Sequence, residues 1–300
     1  MSEKINPLYR KQIEQIRLDA EDYSDSQMQN IYNQQNKKLD DLHAFIGLLF
    51  IKYATDGLLK LTSQQKSNIT KNVDVKLTKV GKDLVNSEVP KVSDTLKAVY
   101  KDTYYKNAYV LDSGMDINLK FDMLKDEFID NAISTEFKGS TFSDRIWANK
   151  DALMSKLKQS IIDATNGNTT IDKIGKQIKD QFGVSAYESR RLVRTEVARQ
   201  ASQAQEQIGI NAGCKQVMWS ATLEGNTCDE CAELDGKTWA IEDSPDCPEH
   251  PLCRCCLINV PFDNWKPSQR MDNETHQLID YQDYSTWSKN KGISNDAADD

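Results

Sequence analysis

Six of the seven cysteines in this 300-residue chain fall between Cys228 and Cys256, as Cys228-x-x-Cys231, then Cys247, then His250-Pro-Leu-Cys253-Arg-Cys255-Cys256. Thiolates paired at a two-residue gap, with an imidazole beside them and a loop of about twenty residues between the pairs, match what a tetrahedral zinc site requires. Each short pair folds into a knuckle that aims two donors at one point. Structural disulfides fit less well: seven is an odd number, and Met1-Ser-Glu-Lys-Ile-Asn-Pro opens into charged helical sequence with no sign of a secretory leader. A thioredoxin-like pair would sit at a strand-to-helix turn of a βαβ unit, and no parallel α/β repeat surrounds Cys228. The stretch reads as a small module clamped by structural zinc.

The rest of the chain up to that module has helical period. Ile69, Val73, Leu77, Val80 and Leu84 step by fours and threes along one face, and Val92, Leu96 and Val99 resume the pattern after Pro90. An antiparallel bundle or a long hairpin of helices follows. The longest apolar run, Ala44 to Ile51, is far below the ~20 residues that span a bilayer, so a buried helix is expected and no membrane partner. Ser143 is a plausible N-cap for a helix bearing Ile146, Leu153, Leu157 and Ile161, closed by Asn166-Gly167. Thr169 or Thr170 opens a short helix that Gly183 stops. Ser185-Ala-Tyr-Glu188 then has the form of a capping box that starts a longer helix, ending near Gly209 or Gly213.

Beyond Gly213 the period falls to two. Gln216 to Ala221, Lys237 to Ile241 and Cys255 to Val260 predict three short strands in a β-meander, with turns at Gly225-Asn226 and Asp235-Gly236. So small a unit buries little apolar surface, and a bound metal would supply much of its stability. The expected fold is α+β and predominantly α. Its expected divisions are a helical region over 1–140, a second helical part over 141–213, the cysteine-rich β module over 214–260, and an acidic, partly disordered tail over 261–300, either a loose terminus or a peptide that orders against a partner with Trp265, Tyr281, Tyr284 and Trp287 as anchors.

Arg191-Leu-Val-Arg194-Thr195-Glu196, Trp219-Ser-Ala-Thr222, Cys228-x-x-Cys231, Leu234-Asp-Gly236 and His250-Pro-x-Cys253-Arg-Cys255, in that order, resemble the phage Mu F-like head morphogenesis proteins, the minor capsid proteins of tailed phages and prophages. The resemblance runs from about Phe142 to Val260; the first 140 residues share only helical character with that family. Two residues depart from its pattern: Cys256 extends the Cys-Arg-Cys ending, and Cys247 stands where Pro or a polar residue is more usual. The resemblance implies a non-enzymatic virion protein of the phage head, made in the bacterial host cytoplasm. It would assemble into the procapsid near the portal protein and other capsid components, and in some members it is associated with the DNA. Relatives that carry an appended toxin or ADP-ribosyltransferase domain have it after this region, where about forty residues follow Val260 here.

Among the donors, His250 precedes Cys253 by three residues and can share its knuckle, whereas Cys253 and Cys255 would face opposite ways if the strand has already begun. The first choice of ligands is therefore Cys228, Cys231, His250 and Cys253, with Cys255 replacing His250 if the imidazole faces solvent. Cys214, Cys247 and Cys256 read as small buried hydrophobes. On a helix, Arg194 and Glu196 project about 200° apart, so both must find partners elsewhere, in a buried network that locks the fold.

Two rival classes remain. A treble-clef nuclease needs a general-base histidine distinct from the zinc ligands, and of the three histidines neither His43 nor His276 lies near a suitable partner in sequence. Double-stranded DNA binding is opposed by the net charge of -8 and by nine acidic against three basic residues between Cys214 and Val260. Any DNA contact is assigned to the lysine-bearing helices between Lys52 and Lys106 or to the face from Arg190 to Arg199. The alternative function is a zinc-clamped DNA-binding or nuclease-like accessory protein.

Overall fold

The computed structural model describes residues 8–115, 123–166, 169–263 and 265–293. Three long helices dominate: α1 (Tyr9–Tyr53), α2 (Ser63–Met115) and α5 (Ile171–Asn211). Shorter helices are α3 (Asp126–Ser134), α4 (Phe142–Thr165), α6 (Asp229–Leu234) and α7 (Tyr284–Lys291). The strands β1 (Ala54–Thr55) and β2 (Leu58–Leu59) form a two-residue ribbon; β3 (Gln216–Ser220), β4 (Thr238–Ala240) and β5 (Cys256–Val260) form one sheet; β6 (Gln269–Asp272) and β7 (Gln277–Asp280) form a hairpin. The protein is thus α+β and mainly α, with small antiparallel sheets. No described helix is long and apolar enough to cross a membrane.

The chain folds into two compact units that do not follow chain order. One comprises 1–24, 95–133 and 194–300, the other 25–94 and 134–193. The boundaries expected at 140 and 213 are therefore not those of the compact units, because α1, α2 and α5 each contribute one part to either unit. A linear reading cannot see this: it assigns neighbours in sequence to one body, whereas long helices carry the chain from one core into the next.

The second unit is a helical bundle. The ribbon β1–β2 turns α1 back into α2, with Ala54 opposite Leu59. Its core joins Leu42, Ile46 and Phe50 of α1, the Ile69-to-Leu84 stripe of α2, Leu153, Leu157 and Ile161 of α4, and Ile174, Ile178 and Phe182 of α5. The apolar run in α1 is only half buried, since Leu48 and Ile51 face outward. Within this core lies a polar cluster. Lys150 Nζ, 1% exposed as a residue, meets Glu88 Oε2 at 2.8 Å and donates to Ser189 Oγ at 2.9 Å and Ser185 Oγ at 3.2 Å. Gln35 Nε2 donates to the same Ser189 at 3.2 Å.

That cluster corrects the expected helix boundaries. Gly183 does not end a helix and Ser185 does not begin one: α5 is continuous from Ile171, and Ser185 is a buried mid-helix acceptor. Glycine inside a helix costs about 1 kcal/mol, and burying Ile178, Phe182 and Leu192 along one face outweighs it. The real capping box is two residues before the expected Ser143: Thr141 caps α4, and its side chain and that of Asp144 bond each other's backbone N–H. Asn166 closes α4, and the Thr170 hydroxyl accepts Lys173 N–H at the start of α5, both as the sequence suggests; Gly167 lies outside the described residues.

The first unit holds the cysteine-rich sheet. Its strand order is β4-β3-β5, all antiparallel, so β3 is central and β5 returns to its far side; the expected meander, with β4 in the middle, is not formed. All of β5 and four of five residues of β3 are buried. The surrounding helices bond to polar groups of both strands: Arg10 donates to Ser220 Oγ at 2.7 Å, Tyr9 to Asn259 O at 3.0 Å, and Asn259 Nδ2 to Gln205 O at 2.9 Å. Gly209 allows this last approach, because a Cβ there would fall 2.2 Å from Asn259 Oδ1.

Of the tail expected to be partly disordered, residues 265–293 form β6, β7 and α7 and the segments that join them; 294–300 lie outside the described residues. Trp287 is fully buried with Tyr284 and Leu223, and its indole N–H donates to Asp272 Oδ2 at 3.0 Å. Arg270, buried, pairs with Asp235 at 2.6 Å and donates to Ala221 O. Tyr284 and Trp287 pack within the chain, and Trp265 meets Tyr9 edge-on.

Candidate metal centre

Cys228 caps the short helix α6: its sulfur stands where an N-cap oxygen would and accepts Cys231 N–H at 3.4 Å. This is the first knuckle. The second is a tight turn in which Cys253 N–H donates to His250 O at 3.1 Å, with Leu252 in the left-handed region at φ 64°. His250 Nδ1 lies 3.0 Å from Pro251 O; a proton held there leaves the Nε2 lone pair facing the thiols.

The two knuckles meet. His250 Nε2 is 3.3 Å from Cys228 Sγ and 3.5 Å from Cys231 Sγ, and Cys231 Sγ is 3.7 Å from Cys253 Sγ. Bond lengths of ~2.3 Å for Zn–S and ~2.0 Å for Zn–N set tetrahedral edges of ~3.5 Å between sulfur and nitrogen and ~3.8 Å between sulfurs. The observed separations are of that size. Cys228, Cys231 and His250 have their ligand atoms within 4.8 Å of one another, and so do Cys231, Cys253 and Cys255.

The two triads share Cys231. The opposite-face argument for Cys253 and Cys255 does not apply, because β5 begins only at Cys256, opposite Ser220, and both thiols lie in the loop before it. The hydrogen bond from Cys231 holds the Cys253 thiol well below the ordinary range, and the same contact pushes Cys231 up. A cluster of sulfur donors beside an imidazole suits a soft or borderline cation. Burial pushes Cys214 up to about 11 and Cys256 up to about 12, and Cys247 also rises; none of the three belongs to either triad.

Contacts around the knuckles fix their orientation. Thr195 Oγ1 on α5 accepts Leu252 N–H at 3.2 Å, and Arg17 on α1 donates to Cys253 O at 3.3 Å. Arg254 pairs with Glu21 and Glu224. The Arg194-Thr195-Glu196 motif is thus explained by its middle residue, whose role the sequence reading missed. Glu196, fully buried, pairs with Arg199 one turn on at 2.9 Å, so its partner is a residue other than Arg194. His43 lies in the helical bundle with Nε2 3.2 Å from Gly175 O.

A family model described as phage Mu protein F like protein matches residues 155–258. The chain is 24% identical to the minor head protein GP7 of Bacillus phage SPP1 over 303 aligned residues, covering 90% of this chain and 97% of that protein. It is 25% identical to the NAD(+)--arginine ADP-ribosyltransferase EFV of Enterococcus faecalis over 223 residues, which are 66% of this chain but only 45% of that protein's length. No solved structure matches. The stretch that matches this family model, residues 155–258, contains Arg194-Thr195-Glu196 and both knuckles.

Proposed function

We propose that this protein is a minor capsid protein of a tailed phage or prophage, made in the bacterial cytoplasm and built into the head during its morphogenesis, next to the portal and other capsid components. The observation that carries this reading is the end-to-end similarity to a minor head protein, 90% of one chain against 97% of the other. A zinc ion held by Cys228, Cys231, His250 and Cys253 is architectural in this reading. When bound, it supplies the cross-link that a sheet of three short strands lacks. The donor chemistry and the 3.3–3.7 Å separations support it.

The protein works by assembly and not by catalysis. The similarity to an ADP-ribosyltransferase spans less than half of that protein, so the transfer activity in its name is not carried over. The acidic charge disfavours DNA as the main partner, and what contact there is falls to lysines such as Lys79 and Lys82, exposed on α2.

Co-sedimentation with purified portal protein, beside a DNA titration across salt concentrations, tests the reading. Portal association that survives moderate salt, with weak DNA binding that does not, is the expected result. Salt-resistant DNA binding without portal association favours the accessory-protein alternative. Incubation with labelled NAD and an arginine-rich acceptor should leave the acceptor unlabelled; transfer of label would overturn the non-enzymatic reading.

A further inference from the structure

Resting on the zinc reading above, we infer that the centre has two interchangeable donor sets, with Cys255 able to take the fourth position when His250 leaves it. The observation is the pair of overlapping triads, which gives five donors for a four-coordinate ion. Cys255 is 3% exposed, and its sulfur lies within 4.8 Å of both Cys231 and Cys253. Closing its gaps to Cys231 and Cys253 to tetrahedral S···S edges of ~3.8 Å takes at most about 1 Å, and the set is completed when Cys228, which shares the other triad with Cys231, moves in with the ion. The residue sits in the loop before β5, so the strand's hydrogen bonds to β3 do not hold it back.

The two candidates for the fourth position differ in setting. His250 is half-buried and lies at the solvent side of the centre, whereas Cys255 is enclosed with Cys231 and Cys253. An exposed donor is the one that water, a chelator or a competing protein reaches first. A buried thiol already beside two ligands retains the ion when that happens. The departure from a single closed set is the presence of this fifth donor, since a purely structural site needs only four.

The test uses the full-length chain and its His250→Ala, Cys255→Ala and double variants. Metal content is read by elemental analysis, and the cobalt-substituted proteins are compared by absorption. Each single variant should keep about one zinc per chain and the double variant should lose it. In cobalt-substituted His250→Ala the thiolate-to-metal charge-transfer band should strengthen as three thiolates become four. In Cys255→Ala it should match the wild type.

Loss of metal from His250→Ala alone, or retention with an unchanged band, overturns the inference while leaving the zinc reading intact. A wild-type protein without metal overturns both. Should His250→Ala fail to fold, zinc release to a strong chelator is compared between wild type and Cys255→Ala. About 10-fold faster release from the variant is expected; equal rates overturn the inference.

Discussion

The hydroxyl oxygen of Thr195, buried on α5, accepts the backbone N–H of Leu252 at 3.2 Å, so the knuckle that carries His250 and Cys253 hangs from a long helix. Replacing Thr195 with Val keeps the shape and removes the acceptor. The variant should lose about 1 kcal/mol of stability and release metal faster, because a partly buried N–H is left unpaired. Thermal denaturation together with a chelator assay measures both; unchanged release would mean that the turn holds its own shape.

Cys231 is common to both donor triads. Cys231→Ser should therefore abolish metal binding under either donor set and loosen the unit that holds β3 to β7. The core around Leu42, Val73 and Leu153 belongs to the other unit and should keep its protection in hydrogen exchange. Uniform loss of protection along the chain would show that the two units unfold as one.

Lys150 and Glu88 form a buried ion pair in the helical bundle. Lys150→Met leaves Glu88 without its cation and should cost about 3–5 kcal/mol, whereas adding Glu88→Leu should restore much of the loss. Ser185→Ala removes only one acceptor for Lys150 and should cost about 1 kcal/mol. Denaturant titration of the three variants gives the comparison.

Asp272 ties down the tail. Burial opposes its charge, but hydrogen bonds from the Trp287 indole, the Thr275 and Glu274 backbone and the Lys291 ammonium hold its carboxyl down to about 2. A folded-state value below the unfolded one stabilises the protein above about pH 4, the ordinary carboxylate range, and that contribution disappears as pH falls through about 2. Asp272→Asn should be less stable than wild type at neutral pH, and the difference should close between about pH 4 and 2. Trp287 fluorescence during denaturation follows it.

Gly236 adopts φ +76°, and a Cβ there would lie 2.7 Å from the Tyr281 hydroxyl. Gly236→Ala should cost about 1–2 kcal/mol from the left-handed backbone alone. The steric contact adds to that. A melting temperature equal to wild type would show that the turn after α6 relaxes freely.

Local pattern by itself determined a good deal of this protein. The Ile69-to-Leu84 stripe, the three strand segments, the Asp235-Gly236 turn and the two Cys/His knuckles are all set by spacing within a dozen residues, which is the range over which helix and strand periods act. Contacts between distant segments decided the rest. Ser185 reads as a cap until Lys150, thirty-five residues away, claims its hydroxyl. Trp287 reads as a loose anchor until Asp272 and Leu223 enclose it. Cys255 reads as facing away from Cys253 until the sheet register starts β5 one residue later. The physical reason is the same in each case: a polar or apolar side chain takes the best partner available in the folded chain, and the sequence period only limits which side of its own element it looks from.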